Sequence, residues 1–335
     1  FPVGLAWESK PVVDDGKVYL TSPGWRNTLF TLDINTGEVI NSAKQMPARS
    51  AYNVPAYAST PIVLKDHVLL REIGSRGYTG VAKEIAYINK NTLKEEKQIF
   101  AGHIDYRTGY APLAANEKYI VYPFTNNHIE RIPVEAQALN HIICKDTKTG
   151  ELIRDVHVGH TFAEPLLDDN MVFIGTKNGY VYCFDASKKD RRSTRSVMSQ
   201  DLDVTWQFKA DDAVNRKVAT DATQVYFGAN DGTVYCLNKE SGKLIWKYTV
   251  KKPVAEAFRH FSTPLVSGNK IFIGSADKNL YCLDASNGEL IFKYASSDWV
   301  RACPVATETN VYFASMNGDL FNIDYSGKKP KEVWT

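Results

Sequence analysis

Along this chain the apolar residues fall in short runs, not in the three-to-four spacing of a helical stripe. Runs such as Lys270–Gly274 (KIFIG) and Asn279–Leu283 (NLYCL), rich in Val, Ile, Tyr, Phe and Leu, are divided by Gly, Asn, Asp and Ser. That is the chemistry of strands joined by tight turns. Asn178-Gly179, Asp231-Gly232 and Asn317-Gly318 suit short hairpins, because both central positions tolerate positive φ. No helix of useful length is visible, and the pattern predicts an all-β fold.

The runs repeat. Pro264–Tyr294, Val218–Tyr248 and the segment from Pro304 align as one motif, and its first anchor recurs at Pro11, Pro61, Pro112, Pro165, Val218, Pro264 and Pro304. The spacings are 50, 51, 53, 53, 46 and 40 residues. An Asx residue closes the third run of every copy, at Asp33, Asn89, Asp146, Asp185, Asn238, Asp284 and Asp324. Each copy therefore holds four strands, A to D, and the seven copies predict a seven-bladed β-propeller of four-stranded antiparallel blades. Radial repetition protects sheet edges that a string of separate sheets would leave open. Residues 1–335 are read as a single propeller domain, with blades starting near 9, 59, 110, 163, 216, 262 and 302.

Composition narrows the partners. A hydrophobic content of 44% is enough for a core, and 40 Lys plus Arg against 38 Asp plus Glu leaves a net charge of +2. Such a balance gives no global field for nucleic acid or an anionic membrane, and no window approaches 18 consecutive apolar residues. The expectation is a monomer with no nucleic-acid partner and no membrane span. The start at Phe1 is read as the removal of an upstream signal or domain. Cys144, Cys183, Cys236 and Cys282 share one place in strand C and read as small apolar wedges; Cys303, just before Pro304, is the one expected to be accessible. The basic run Lys188–Arg195 reads as a solvated loop, and no P-loop, GxSxG, HExxH or EF-hand pattern occurs.

The fifth copy, Val225-Tyr226-Phe227-Gly228-Ala229-Asn230-Asp231-Gly232-Thr233-Val234-Tyr235-Cys236-Leu237-Asn238 and on through Gly242-Lys243-Leu244-Ile245-Trp246, resembles the PQQ-like, or quinoprotein-type, propeller repeat. The resemblance is close in copies four to seven and loose in copies one to three. It implies a periplasmic or extracellular location, and it implies fold more than activity. Quinone-dependent dehydrogenases of this superfamily are typically eight-bladed, with an adjacent cysteine pair and a calcium site. Here there are seven copies, no adjacent cysteines and no acidic cluster at metal-loop spacing, so neither PQQ, another cofactor nor a metal is expected. Similar repeats, in eight-bladed form, build a lipoprotein scaffold that assists outer-membrane protein assembly without catalysis.

In a propeller the residues before each strand A crowd the channel mouth. These segments contribute His103, Arg107, Tyr110, His160, Arg259 and His260 as candidate catalytic groups, and Tyr57, Glu164, Trp299 and Arg301 as candidate binding groups. The B to C loops of copies one to three are long and dissimilar, and add Trp25, Arg26, Arg76 and His128. Copies four to seven end strand B in Gly175, Gly228, Gly274 or Ala314, whereas the first three carry Thr21, Arg71 and Tyr122; the asymmetry reads as a built site, with the loops of blades one to three as a raised wall over one mouth. Arg suits carboxylate, sulfate or phosphate, and Tyr and Trp offer flat faces to a sugar. The expected function is non-redox binding or scaffolding, directed at an anionic or carbohydrate-like ligand or a partner protein. The alternative is a lyase or hydrolase acting on uronate-containing glycans, in which His or Tyr moves the proton and Arg stabilises the enolate-like charge.

Overall fold

A computed structural model describes residues 10–22, 28–44, 56–57, 60–73, 82–103, 113–125, 140–161, 163–189, 203–250, 261–327 and 329–335. The fold is the seven-bladed β-propeller the repeats predict, all-β, each blade a four-stranded antiparallel meander. Blade one comprises β1 (Val12–Asp14), β2 (Lys17–Ser22), β3 (Thr28–Asp33) and β4 (Val39–Lys44). Blade two comprises β6 (Ile62–Val63), β7 (His67–Ile73), β8 (Ala82–Asn89) and β9 (Glu95–His103), and β5 (Ala56–Tyr57) adds to the far end of β7. Blade three holds β10 (Ala114–Ala115), β11 (Tyr119–Thr125), β12 (Asn140–Asp146) and β13 (Leu152–Val158). Blade four holds β14 (Leu166–Asp168), β15 (Met171–Gly175), β16 (Tyr180–Asp185) and β17 (Trp206–Lys209). Blade five runs β18 (Ala219–Thr220), β19 (Gln224–Gly228), β20 (Thr233–Asn238) and β21 (Leu244–Thr249), and blade six β22 (Leu265–Ser267), β23 (Lys270–Gly274), β24 (Asn279–Asp284) and β25 (Leu290–Ala295). Blade seven ends the chain with β26 (Val305–Ala306), β27 (Asn310–Ala314), β28 (Leu320–Asp324) and β29 (Lys331–Trp334). Among the described residues no helix is long and apolar enough to cross a membrane.

The sequence anchors mark the elements. Each of Pro11, Pro61, Pro165, Val218, Pro264 and Pro304 stands one residue before its innermost strand, and each of the seven Asx residues is the last residue of a third strand. At that place Asp33, Asp146 and Asn238 accept hydrogen bonds from turn amides, and the following Gly donates back to the Asx carbonyl, at 2.9 Å in all three. The second and third strands are apolar on both faces because both faces are covered. In β19, Val225, Tyr226 and Phe227 are all fully buried. The fourth strands have one covered face and an outer edge, and β21 alternates accordingly.

The chain divides into two compact units, one of Phe1–Gly159 with Leu167–Asn170 and Ala186–Leu202, the other of His160–Leu166, Met171–Asp185 and Asp203–Thr335. In the first unit the core forms layers between successive blades: Tyr19, Leu29, Val68 and Leu70 in one, Leu69, Ile85, Ile120 and Tyr122 in the next. In the second unit, Phe173, Trp206, Val225 and Phe227 form one such layer, Tyr226, Trp246, Ile271 and Ile273 another, and Phe272, Phe313 and Phe321 a third. Tryptophan fastens blade to blade. The indole of Trp206 donates to the Lys239 carbonyl at 2.9 Å and that of Trp246 to the Ala285 carbonyl at 2.8 Å, each reaching the turn between the third and fourth strands of the following blade. A Cβ on Gly242 or Gly288 in those turns would sit 2.6 Å or 2.5 Å from the indole, so the close approach demands glycine.

Candidate functional site

The four candidate rim residues whose side chains are described, His160, Glu164, Trp299 and Arg301, all belong to the second unit, and all are partly buried. They sit on the connections that lead into the innermost strands, and these connections are clamped. The Val300 amide donates to the Ser275 carbonyl of blade six at 3.1 Å, while the Trp299 carbonyl accepts from Met316 of blade seven at 2.9 Å. Val300 itself is fully buried against Gly274, where a Cβ would lie 2.3 Å from the valine. Phe261 fills the same place against Gly228. This explains the small residue that ends strand B in the later copies: the next blade's connection plugs into the space. Trp299 and Arg301 flank such a plug. The His160 carbonyl accepts from the Lys177 amide at 2.7 Å.

Glu164 is paired with Lys217 at 2.5 Å, and each stands one residue before its repeat anchor, so equivalent positions of successive repeats form an ion pair. His103 ends β9 opposite Ala82, and Tyr57 lies in β5 opposite Glu72. Trp25, Arg26, Arg76, Arg107, Tyr110, His128, Arg259 and His260 lie outside the described residues.

The early copies differ from the later ones at the end of the second strand. In blade two Arg71 takes the place of the small residue, whereas in blade three the register puts Pro123 at that place and Tyr122 one residue earlier, a correction to the sequence alignment; the loops read as a wall lie mostly outside the described residues. Arg71 is fully buried, lies 4.6 Å from the centre of the Tyr122 ring, and donates to the Pro123 carbonyl at 3.1 Å. Burial also pushes the Tyr122 phenol well above its ordinary range, with the Arg71 charge opposing. The two side chains, one register step apart in successive blades, fill one inter-blade space together.

Two groupings were not legible as sites in the sequence. The first is on the outer edges. In blades one, two, three, five, six and seven the fourth strand carries a bulge next to its first or second residue, where Ile40, Glu96, Ile153, Ile245, Ile291 or Val333 is the extra residue. Ile40, Ile245, Ile291 and Val333 are 52%, 44%, 47% and 52% exposed. In sequence they are ordinary strand residues, and only the register shift singles them out. The second lies on blade three, where β12 and β13 place His141 opposite His157 and Ile143 opposite Asp155. Nδ1 of His141 is 2.7 Å from Oδ1 of Asp155, and the two imidazole centres are 3.9 Å apart. One ligand atom from each of His141, Asp155 and His157 lies within 4.8 Å of the others. The signal available was Asp155-x-His157 on one strand and a histidine on its neighbour, but the pairing register was needed to read it.

The thiols behave as wedges. Cys144, Cys183, Cys236 and Cys282 are fully buried, and burial pushes the last three up to about 12. Cys303 is partly exposed.

Comparison with known proteins agrees with this architecture. The family described as outer membrane protein assembly factor BamB matches residues 196–279 and 259–335, which is the part with the most regular repeats. The crystal structure of BamB from Moraxella catarrhalis superposes with a TM-score of 0.64 at 15% identity, covering 95% of this chain and 85% of that one. The computationally designed Ika8 protein superposes with a TM-score of 0.50 at 14% identity, covering 92% of this chain and 93% of that one. No curated protein sequence matches the chain. The chain is a seven-bladed β-propeller whose C-terminal blades match the PQQ-like repeats of the outer-membrane assembly factor family.

Proposed function

We propose that this propeller is a non-redox scaffold that binds a partner protein through the bulged rim of its C-terminal blades, and that it works outside the cytoplasm in outer-membrane assembly. The observation that carries the reading is the row of exposed aliphatic side chains at the start of the fourth strands: Leu244 and Ile245 in blade five, and Leu290 and Ile291 in blade six, all 41–47% exposed. The indole of Trp246 on the blade six turn holds the two blades side by side, so these residues recur at one level of one rim. A bulge leaves its extra residue out of the ladder and twists the edge, which disfavours addition of a foreign strand there. The aliphatic side chain is nevertheless left in water. Side-chain docking against an apolar partner face is the use this geometry serves. Leu and Ile offer nothing to orient sugar hydroxyls, which favours a protein over a glycan at this rim. The match of the same blades to an assembly-factor family supports the class of partner.

The test is site-specific photo-crosslinking from positions 245 and 291, with position 177 on the opposite turns as control, followed by titration of the identified partner in purified form. The reading expects one discrete protein adduct from both positions and none from position 177. It also expects an affinity at least about tenfold weaker for the Ile245→Asp/Ile291→Asp variant at unchanged melting temperature. Unchanged affinity in that variant overturns it. Release of unsaturated products from uronate polysaccharides, lost in His160→Ala, would support the lyase alternative in its place.

A further inference from the structure

We propose that His141, Asp155 and His157 on blade three form a binding site for a divalent transition metal ion of the zinc type. The site follows from strand register. His141 and His157 are a directly opposed cross-strand pair, and Asp155 lies two residues from His157, so period-two alternation puts all three on one face of the sheet. Tyr122 and Ile143, on the same face and almost fully buried, form an apolar neighbour that keeps the site off bulk water on one side. The ligand side chains keep partial access, at 16% exposure for His141 and 36% for Asp155. An ion can enter, and room remains for a water or a further ligand.

The donor set selects the class of metal. Two imidazoles and one carboxylate suit zinc, copper, nickel or iron, whereas calcium and magnesium require a cage of oxygens. Donor atoms about 2.0–2.2 Å from a common zinc ion lie about 3.3 Å apart at tetrahedral angles. The observed separations reach at most 4.8 Å, and the His141–Asp155 pair is at 2.7 Å, so side-chain torsions alone can bring the set to that spacing. A simple ion pair across these strands would use one imidazole. The convergence of two imidazoles on one carboxylate is the arrangement a metal takes, and the His141–Asp155 contact already brings two of the three groups together, with the ion taking the place of the shared proton. This site is on blade three and is independent of the aliphatic rim on blades five and six.

The experiment titrates the untagged, metal-stripped full chain with Zn2+ by calorimetry and with Co2+ by visible absorption. One equivalent of Zn2+ should bind, and Co2+ should give d–d bands that Zn2+ displaces. His157→Gln and Asp155→Asn should each weaken Zn2+ binding by at least about tenfold, while melting temperature without metal stays near that of the parent chain. His67→Gln, which breaks the His67–Glu96 pair at 2.8 Å in blade two, is the control and should leave affinity unchanged. Absence of stoichiometric binding in the parent, or equal loss in His67→Gln and His157→Gln, overturns the proposal. Should a substituted chain unfold, Co2+ spectra of the folded parent before and after ethoxycarbonylation of its histidines with diethyl pyrocarbonate decide it: bands that persist after modification of His141 and His157 refute the site.

Discussion

Gly288→Ala tests how the blades are fastened. Gly288 has φ +76°, and a methyl there would lie 2.5 Å from Cε3 of Trp246. The left-handed conformation costs an L-residue about 1–2 kcal/mol. The methyl cannot be accommodated without moving the indole, whose Nε1 donates to Ala285 at 2.8 Å and whose ring is 7% exposed. Losing that hydrogen bond costs about 1 kcal/mol and the overpacking about 1 more. The total is about 3–4 kcal/mol. Gly232 provides the comparison, because its φ is +84° and a Cβ there would have nothing within 4 Å of it. Gly232→Ala should therefore show only the conformational cost, about 1–2 kcal/mol. Urea and thermal unfolding, followed by intrinsic fluorescence, should place Gly288→Ala about 2 kcal/mol below Gly232→Ala, or roughly 3 °C by the usual scaling of unfolding entropy with chain length. On a Trp246→Leu background the difference should vanish, since the clash partner is gone. Equal destabilisation by the two substitutions in the parent chain would refute the claim that indole contact, and not backbone strain, demands Gly288.

Other consequences follow from the same geometry. Native alkylation with iodoacetamide at pH 8 should modify Cys303 well before Cys183, Cys236 or Cys282, whose thiols are buried and pushed up to about 12; comparable rates by mass spectrometry would contradict the wedge role. The turn aspartates titrate low because they accept turn hydrogen bonds, Asp33 chiefly from the Thr36 amide, Asp146 from the Thr149 amide, and Asp284 and Asp324 from the Ser286 and Ser326 hydroxyls. Their folded values lie below the unfolded ones, so their contribution is present above about pH 4 and is lost as pH falls through the lowered values. Replacing all four with Asn, the residue already found at Asn89 and Asn238, should keep the turns and flatten the acid limb of a stability-against-pH curve; an unchanged limb would exclude them as its source. Arg71→Ala should cost about 3 kcal/mol or more, because it empties a fully buried volume and strips Tyr122 of its stacked cation, and chemical denaturation should show Arg71→Met losing clearly less.

The sequence by itself determined the repeat, and through it the fold. The anchor before each first strand and the Asx at the end of each third strand are local chemistry: Pro presets φ, and a short polar side chain caps a turn within its own few residues. Such signals need no partner from elsewhere in the chain, so the seven blades could be read without coordinates. Register and proximity were decided only by tertiary structure. Arg71 and Tyr122 are 51 residues apart and read as irregularities until their blades stack and one covers the other. Ile245 and Ile291 look like any strand residue until a bulge removes them from the ladder. His141 meets His157 and Asp155 because one pairing register holds between β12 and β13, and a slip of a single residue would send those side chains to opposite faces. Function at such places rests on which distant groups the packing brings within a few ångströms, a property of the assembled sheets that no single stretch of chain carries.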